Sequence, residues 1–138
     1  MNIPTLDIKD LLEASDDVDL TFMTNLFIGR EPTDPSDVVT IFDAPSRGPA
    51  LFYDRGKKYF YSAFQIRTRS ANYNTGLSLA YDIQEYLHGR GNEVINDTYY
   101  GLIESIDDPF LLDWDENNRA RFVNNFQLQR REEEELVT

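Results

Sequence analysis

Apolar residues recur along this chain with two different periods, and the change from one to the other outlines its elements. From Pro4 to Ala14, Ile8, Leu11 and Leu12 share one side at i, i+3, i+4 spacing, which predicts a short amphipathic helix. Thr5 is the expected N-cap, and Asp7 falls in the first turn, where the helix dipole favours an anion. After Ser15-Asp16-Asp17 breaks that pattern, Thr21 to Arg30 (TFMTNLFIGR) is short, apolar and bounded by acidic residues and Gly29, predicting a strand. Glu31 to Asp37 (EPTDPSD) holds two prolines and three acids, which exclude helix and central strand. Val38 to Asp43 (VVTIFD) predicts a second strand, and Ala44 to Lys58 (APSRGPALFYDRGKK) the longest loop. Tyr59 to Arg69 then adopts period two. Phe64 and Ile66 fall on one face and Gln65, Arg67 and Arg69 on the other, as in the central strand of a sheet.

The helical period returns from Ala71 to His88, where Tyr73, Leu77, Ala80, Ile83 and Leu87 form a stripe that leaves Asp82 and Glu85 outside it. Gly76 lies on the stripe; it costs about 1 kcal/mol against alanine but lets the helix approach a sheet closely. His88-Gly89-Arg90-Gly91 is a helix stop. Thr98 to Ile106 predicts a fourth strand, and Asp107 to Asn118 a loop ending in the turn Asp115-Glu116-Asn117-Asn118. Arg119 to Arg130 predicts the last strand, with Phe122, Phe126 and Leu128 on one face and Val123 on the other, followed by a charged tail over 131–138. The expected fold is therefore α+β: a mixed or antiparallel sheet of about five strands with two helices packed on one face. The second sheet face is left for solvent, loops or a partner.

The composition fits one domain spanning 1–138, since 138 residues with 41% apolar content suffice for a single core. No run is apolar and long enough to span a membrane, and Met1-Asn2-Ile3-Pro4 lacks the features of a signal peptide, so a soluble protein is expected. Absence of cysteine removes disulfides and thiolate metal sites. The formal charge of −12 opposes the counterion exchange by which proteins grip a nucleic-acid backbone, and it suits a subunit kept soluble before assembly or one lining a channel.

Catalytic chemistry finds little to work with. The one histidine, His88, falls at a helix end, where its charge would suit the dipole without any catalytic role. No phosphate-binding loop or dinucleotide fingerprint occurs. Asp113-Trp-Asp115-Glu-Asn117 echoes the opening of a calcium loop, but Asn118 replaces the required glycine and Asn124 the closing glutamate, so a side-chain-held turn is the better reading. No metal or cofactor is expected. The candidate partner-interface residues are Arg47, Arg55, Lys57 and Lys58 in the long loop, Arg67 and Arg69 on the central strand, and Trp114.

From about Leu6 to Arg130 the chain resembles the tail-terminator or minor capsid proteins of long-tailed bacteriophages. The resemblance runs through Asn25-Leu26-Phe27-Ile28-Gly29, the break at Pro32 and Pro35, and the strand Val39-Thr40-Ile41-Phe42-Asp43. It continues through Phe64-Gln65-Ile66-Arg67-Thr68-Arg69 with its following helix, and through Pro109, Asp115-Glu116-Asn117-Asn118-Arg119 and Phe122-Val123-Asn124-Asn125-Phe126. Asp113 departs from it, at a position where a small residue is expected. The resemblance implies a virion subunit, assembled in the host cytoplasm, that forms a hexameric ring with itself and caps the head-proximal end of the tail tube. It implies contacts with tail tube protein and head connector, with genomic DNA passing through unbound. Two alternatives stand beside it: a head-completion or connector subunit, and an acidic inhibitor or DNA mimic of a host protein.

Overall fold

A computed structural model describes residues 1–51 and 58–132. Its elements run α1 (Pro4–Ala14), β1 (Leu26–Ile28), β2 (Val38–Leu51), β3 (Lys58–Ser70), α2 (Tyr73–Leu87), β4 (Glu93–Ile95), β5 (Thr98–Ser105), β6 (Phe110–Trp114) and β7 (Ala120–Glu132). The seven strands form one sheet in the order β1-β2-β3-β7-β5-β4, with β6 also paired to β7. Only β1 and β2 run parallel; the remaining pairs are antiparallel. The fold is α+β with two helices, as the periodicities predict, and the sheet gains β4 and β6.

The alternation on β3 decides which face is buried. Phe64, Ile66 and Thr68 point to the helices and are at most 1% exposed. Opposite them, β7 supplies Phe126, Asn124 and Phe122 in register. The Phe64 and Phe126 rings stack at 4.9 Å across the strand pair. Ile8 and Leu12 of α1, Ile83 and Leu87 of α2, and Ile103 of β5 complete this core, so both helices cover the same face. The Tyr86 hydroxyl donates to the Leu11 carbonyl at 2.8 Å and ties the helices together.

Several boundaries differ from the pattern, each for a local reason. Pro4 takes the first helical position and Ile3 the cap, so Thr5 lies inside α1 and makes no cap bond. Asp7 is in the first turn as expected, but it is buried. Its carboxylate accepts from the Tyr100 hydroxyl, from Asn96 Nδ2 at 2.8 Å and from Asn2 Nδ2 at 3.4 Å, binding α1 to β5 and the β4–β5 turn. The strand expected over 21–30 shrinks to Leu26–Ile28, because the Asn25 side chain accepts from Thr21 N–H and holds a turn before it. Pro45 and Pro49 do not end β2; they lie beyond Val39–Ile41, where β1 pairs, on an edge that needs no donor. The long loop expected over 44–58 is thus largely the far half of a β2–β3 hairpin, with a bulge between Ala44 and Gly48. α2 begins one turn residue after the Asn72 cap, whose side chain accepts from Thr75 N–H at 3.1 Å. Gly76 is buried against the sheet: a Cβ there would lie 2.8 Å from both Phe122 Cε2 and Ser70 Cβ. His88 is the C-cap of α2, its Nδ1 accepts from Ser105 N–H at 2.9 Å, and Gly89 turns the chain at φ +86°.

Candidate functional site

Among the described residues no helix covers the other face of the sheet, where polar side chains alternate with aromatic ones. Gln65 Nε2 donates to Asn125 Oδ1 at 2.9 Å across β3 and β7, and Arg67 Nε donates to Gln65 Oε1 at 2.8 Å. Guanidinium groups sit over rings along this face: Arg67 over Phe42 at 4.8 Å, Arg47 over Tyr61 at 4.7 Å, and Arg131 over Tyr99 at 4.4 Å. Each such contact is worth about 0.5–1 kcal/mol in an exposed setting. Among the described residues no ion pair is made by Arg47, Arg67 or Arg131. Arg67 and Arg131 are also held by hydrogen bonds to Gln65 Oε1 and the Tyr59 hydroxyl, and the Arg67 charge acts on Asp113.

Arg69 shares this face by alternation but is spent inside the fold. Its side chain is 3% exposed because the segment 31–37 closes over it. Nη1 donates to Glu31 Oε1 at 3.0 Å and to the Pro32 carbonyl at 2.6 Å; Nη2 donates to the Thr33 and Pro35 carbonyls, and Nε to that of Ser36. Arg119 reaches the same segment through the Thr33 carbonyl at 2.6 Å. Arg69 therefore clamps the proline-rich segment and offers no charge to a partner surface. Arg55 and Lys57 lie outside the described residues, and Lys58 is described only as the first backbone position of β3.

The side edge of the sheet is occupied by β6, which pairs with β7 from Phe110↔Val123 to Trp114↔Ala120 and, among the described residues, has no strand beyond it. Trp114 is on this strand rather than in a loop. It is 51% exposed, stacks on Tyr73 at 6.4 Å, and Tyr73 in turn meets buried Phe122 edge-on at 5.3 Å. Phe110, Leu111 and Leu112 are also exposed, so four of the strand's side chains are uncovered and apolar, with Phe110 and Leu111 on opposite faces of the sheet. The carboxylates around it have fixed duties. Asp113 receives Nε and Nη2 of Arg121 at 2.6 and 2.5 Å; that hydrogen-bonded guanidinium holds its carboxyl below the usual range and raises Arg121 in return. Burial pushes Asp115 up, but hydrogen bonds from Arg119 and the Asn117 N–H outweigh it and leave the carboxyl lowered. Asp115 thus organises the turn to Asn118, whose φ is +59°. Among the described residues no group of three or more His, Cys, Asp or Glu is placed to hold a metal.

Between the β2 bulge and β5 the open face dips into a groove of about 340 Å³. Tyr61, Leu102 and Ile106 supply its apolar lining, and Arg47, Glu104 and Gln127 its polar lining. The arrangement thus comprises cations over rings, a groove that holds both Arg47 and Glu104, and an edge strand with exposed apolar side chains.

A family model described as bacteriophage tail terminator protein matches residues 8–131. The chain belongs to the tail terminator family. Its fold is shared with a chain from the virion of a native gene transfer agent particle, at a TM-score of 0.66 and 12% identity, covering 93% of this chain and 94% of that one. No curated protein sequence matches. As a tail terminator the chain is a virion component and a structural protein of the tail. No helix among the described residues is long and apolar enough to cross a membrane. Of the residues singled out in this terminator's sequence, the structure sets Arg47 and Arg67 on the open face, Trp114 on the edge, and Arg69 in the interior. Sequence reasoning missed Phe110, Leu111 and Leu112, although an apolar triplet inside an acidic segment is itself a signal of exposed contact area.

Proposed function

We propose that this tail terminator assembles with itself into a ring, six subunits by the family resemblance, that caps the head-proximal end of the tail tube. There it stops addition of tube protein and presents a surface to the head connector. The observation that carries the reading is the match to the terminator family over 8–131, and the exposed apolar side chains of β6 support it by supplying a contact surface. A net charge of −12 suits a ring through which DNA passes without being gripped. Arg47, Arg55, Lys57, Lys58, Arg67 and Trp114 are its proposed contact residues.

Deleting the gene from its phage tests the role. Over-long tubes detached from heads are the expected product. Tails of normal length beside heads with unfilled connectors would instead assign the chain to head completion, and normal particles would exclude both.

A further inference from the structure

β6 is fastened to the sheet by charge more than by apolar burial. Phe110, Leu111, Leu112 and Trp114 keep 38–51% of their surface exposed, and a bulge between Leu111 and Asp113 interrupts the pairing with β7. A strand with so few buried apolar contacts opens locally, below the free energy of global unfolding. Two carboxylates hold it: Asp113 within the strand and Asp115 just after it. Arg121 Nε and Nη2 donate to Asp113 at 2.6 and 2.5 Å, and Arg119 Nε donates to Asp115 at 2.7 Å. Hydrogen bonds between ionised groups of this kind are stronger than neutral ones.

Each of these arginines has a second partner, and both second partners are on the proline-rich segment 31–37. Arg121 Nη1 lies 3.7 Å from Glu31 Oε1, and Arg119 Nη1 donates to the Thr33 carbonyl at 2.6 Å. The segment contains no helix or strand. Arg69 holds it in place from β3, through Glu31 and the Pro32, Thr33, Pro35 and Ser36 carbonyls. Charges therefore alternate from Arg69 through Glu31 and Arg121 to Asp113, leading from β3 by way of the segment and β7 to β6. The other Glu31 oxygen, Oε2, is buried and receives no hydrogen bond among the described residues. Glu31 thus depends on Arg69 and Arg121 alone. Removing one member of a buried charged network leaves its neighbours unpaired, so the links fail together.

We propose that segment 31–37 locks β6 to the sheet through Arg119 and Arg121, and that segment and edge strand open as one unit. Whatever lifts the segment frees β6, and by linkage whatever withdraws β6 loosens the segment. The lock belongs to the single subunit and is independent of the ring reading.

Amide hydrogen exchange of the full-length protein, followed across 110–115, tests it. In the wild type these amides should exchange faster than those of β3, which marks opening below global unfolding. Arg69→Met should speed β6 exchange about tenfold, and Glu31→Gln several-fold, the scale of a lost charged hydrogen bond. Neither residue makes a hydrogen bond or ion pair with β6 among the described residues. Amides that exchange by local opening do not respond to a loss of global stability alone, so an acceleration reports the lock itself. Arg90→Gln, which breaks the Arg90–Glu93 pair beside β4, is the control and should leave β6 unchanged.

A β6 rate indifferent to both Arg69→Met and Glu31→Gln overturns the lock and makes β6 an edge that frays alone. So does a β6 that exchanges only together with β3, or one that Arg90→Gln releases equally. If Arg69→Met does not fold, Glu31→Gln decides alone, since its amide keeps the shape of the carboxylate.

Discussion

Replacing Gly76 with alanine sets two well-measured effects against each other. Alanine in a helix interior is favoured over glycine by about 0.8–1.0 kcal/mol, so propensity alone predicts a more stable protein. The structure reverses that sign. A Cβ at residue 76 would lie 2.8 Å from Cε2 of Phe122 and 2.8 Å from Cβ of Ser70, both well inside van der Waals contact. Neither neighbour can move cheaply. Phe122 is fully buried beneath Tyr73, and the Ser70 Cβ is fixed to the end of β3. Overpacking of this kind costs about 1–3 kcal/mol, so the variant should be less stable by about 1 kcal/mol after the helix gain. Urea unfolding followed by circular dichroism measures the difference directly. Ser78→Ala, on the exposed side of the same helix, is the control and should stabilise by about 0.5 kcal/mol. Adding Phe122→Leu to Gly76→Ala should make the pair less costly than the sum of its parts. A Gly76→Ala protein with a higher urea midpoint than the wild type would refute the close approach of α2 to the sheet.

Two further outcomes follow from buried polar groups. Arg69→Met removes every donor that the Pro32, Thr33, Pro35 and Ser36 carbonyls share with that side chain, and should cost about 3 kcal/mol or more, read from the urea midpoint. A loss below about 0.5 kcal/mol would show that the clamp is incidental. Burial first, and the Asp7 carboxylate second, raise the Tyr100 phenol far above its ordinary value of 10.0, so the folded state keeps the proton that the unfolded chain releases. The resulting stability is complete below pH 10 and is lost as pH rises past that value. Tyr100→Phe should flatten the fall in unfolding free energy as pH rises above about 10, and an unchanged slope would exclude Tyr100 as its source.

Long regular patterns carried their elements through. Phe64 and Ile66 with Arg67 and Arg69 place β3, and the stripe ending in Ile83 and Leu87 places α2. β6 escaped because its alternation is broken by the bulge between Leu111 and Asp113, and its side chains remain exposed rather than half-buried. β2 was cut short at Asp43 because prolines halt a central strand, whereas here they lie on an edge. The candidate site was half legible. Period two sorted Arg67 and Arg69 onto one face correctly, but their fates differ because a segment more than thirty residues away folds over Arg69 alone. No local pattern encodes such a long-range contact. Trp114 stood out by residue type; its place on an exposed edge strand, stacked on Tyr73, required the strand pairing.

β7 joins β3 along one side and both β5 and β6 along the other. It is also the last strand in chain order, so during synthesis it emerges after every strand it joins. Before then the nascent chain holds a β1–β2–β3 piece and a β4–β5 hairpin with nothing between them, and β6 has no partner at all. Such long-range pairing makes folding slow, because loop closure comes before the contacts that repay it. An unfinished polypeptide therefore has neither the β6 edge nor the Gln127–Gln129 wall of the open-face groove, and both arrive together when β7 pairs.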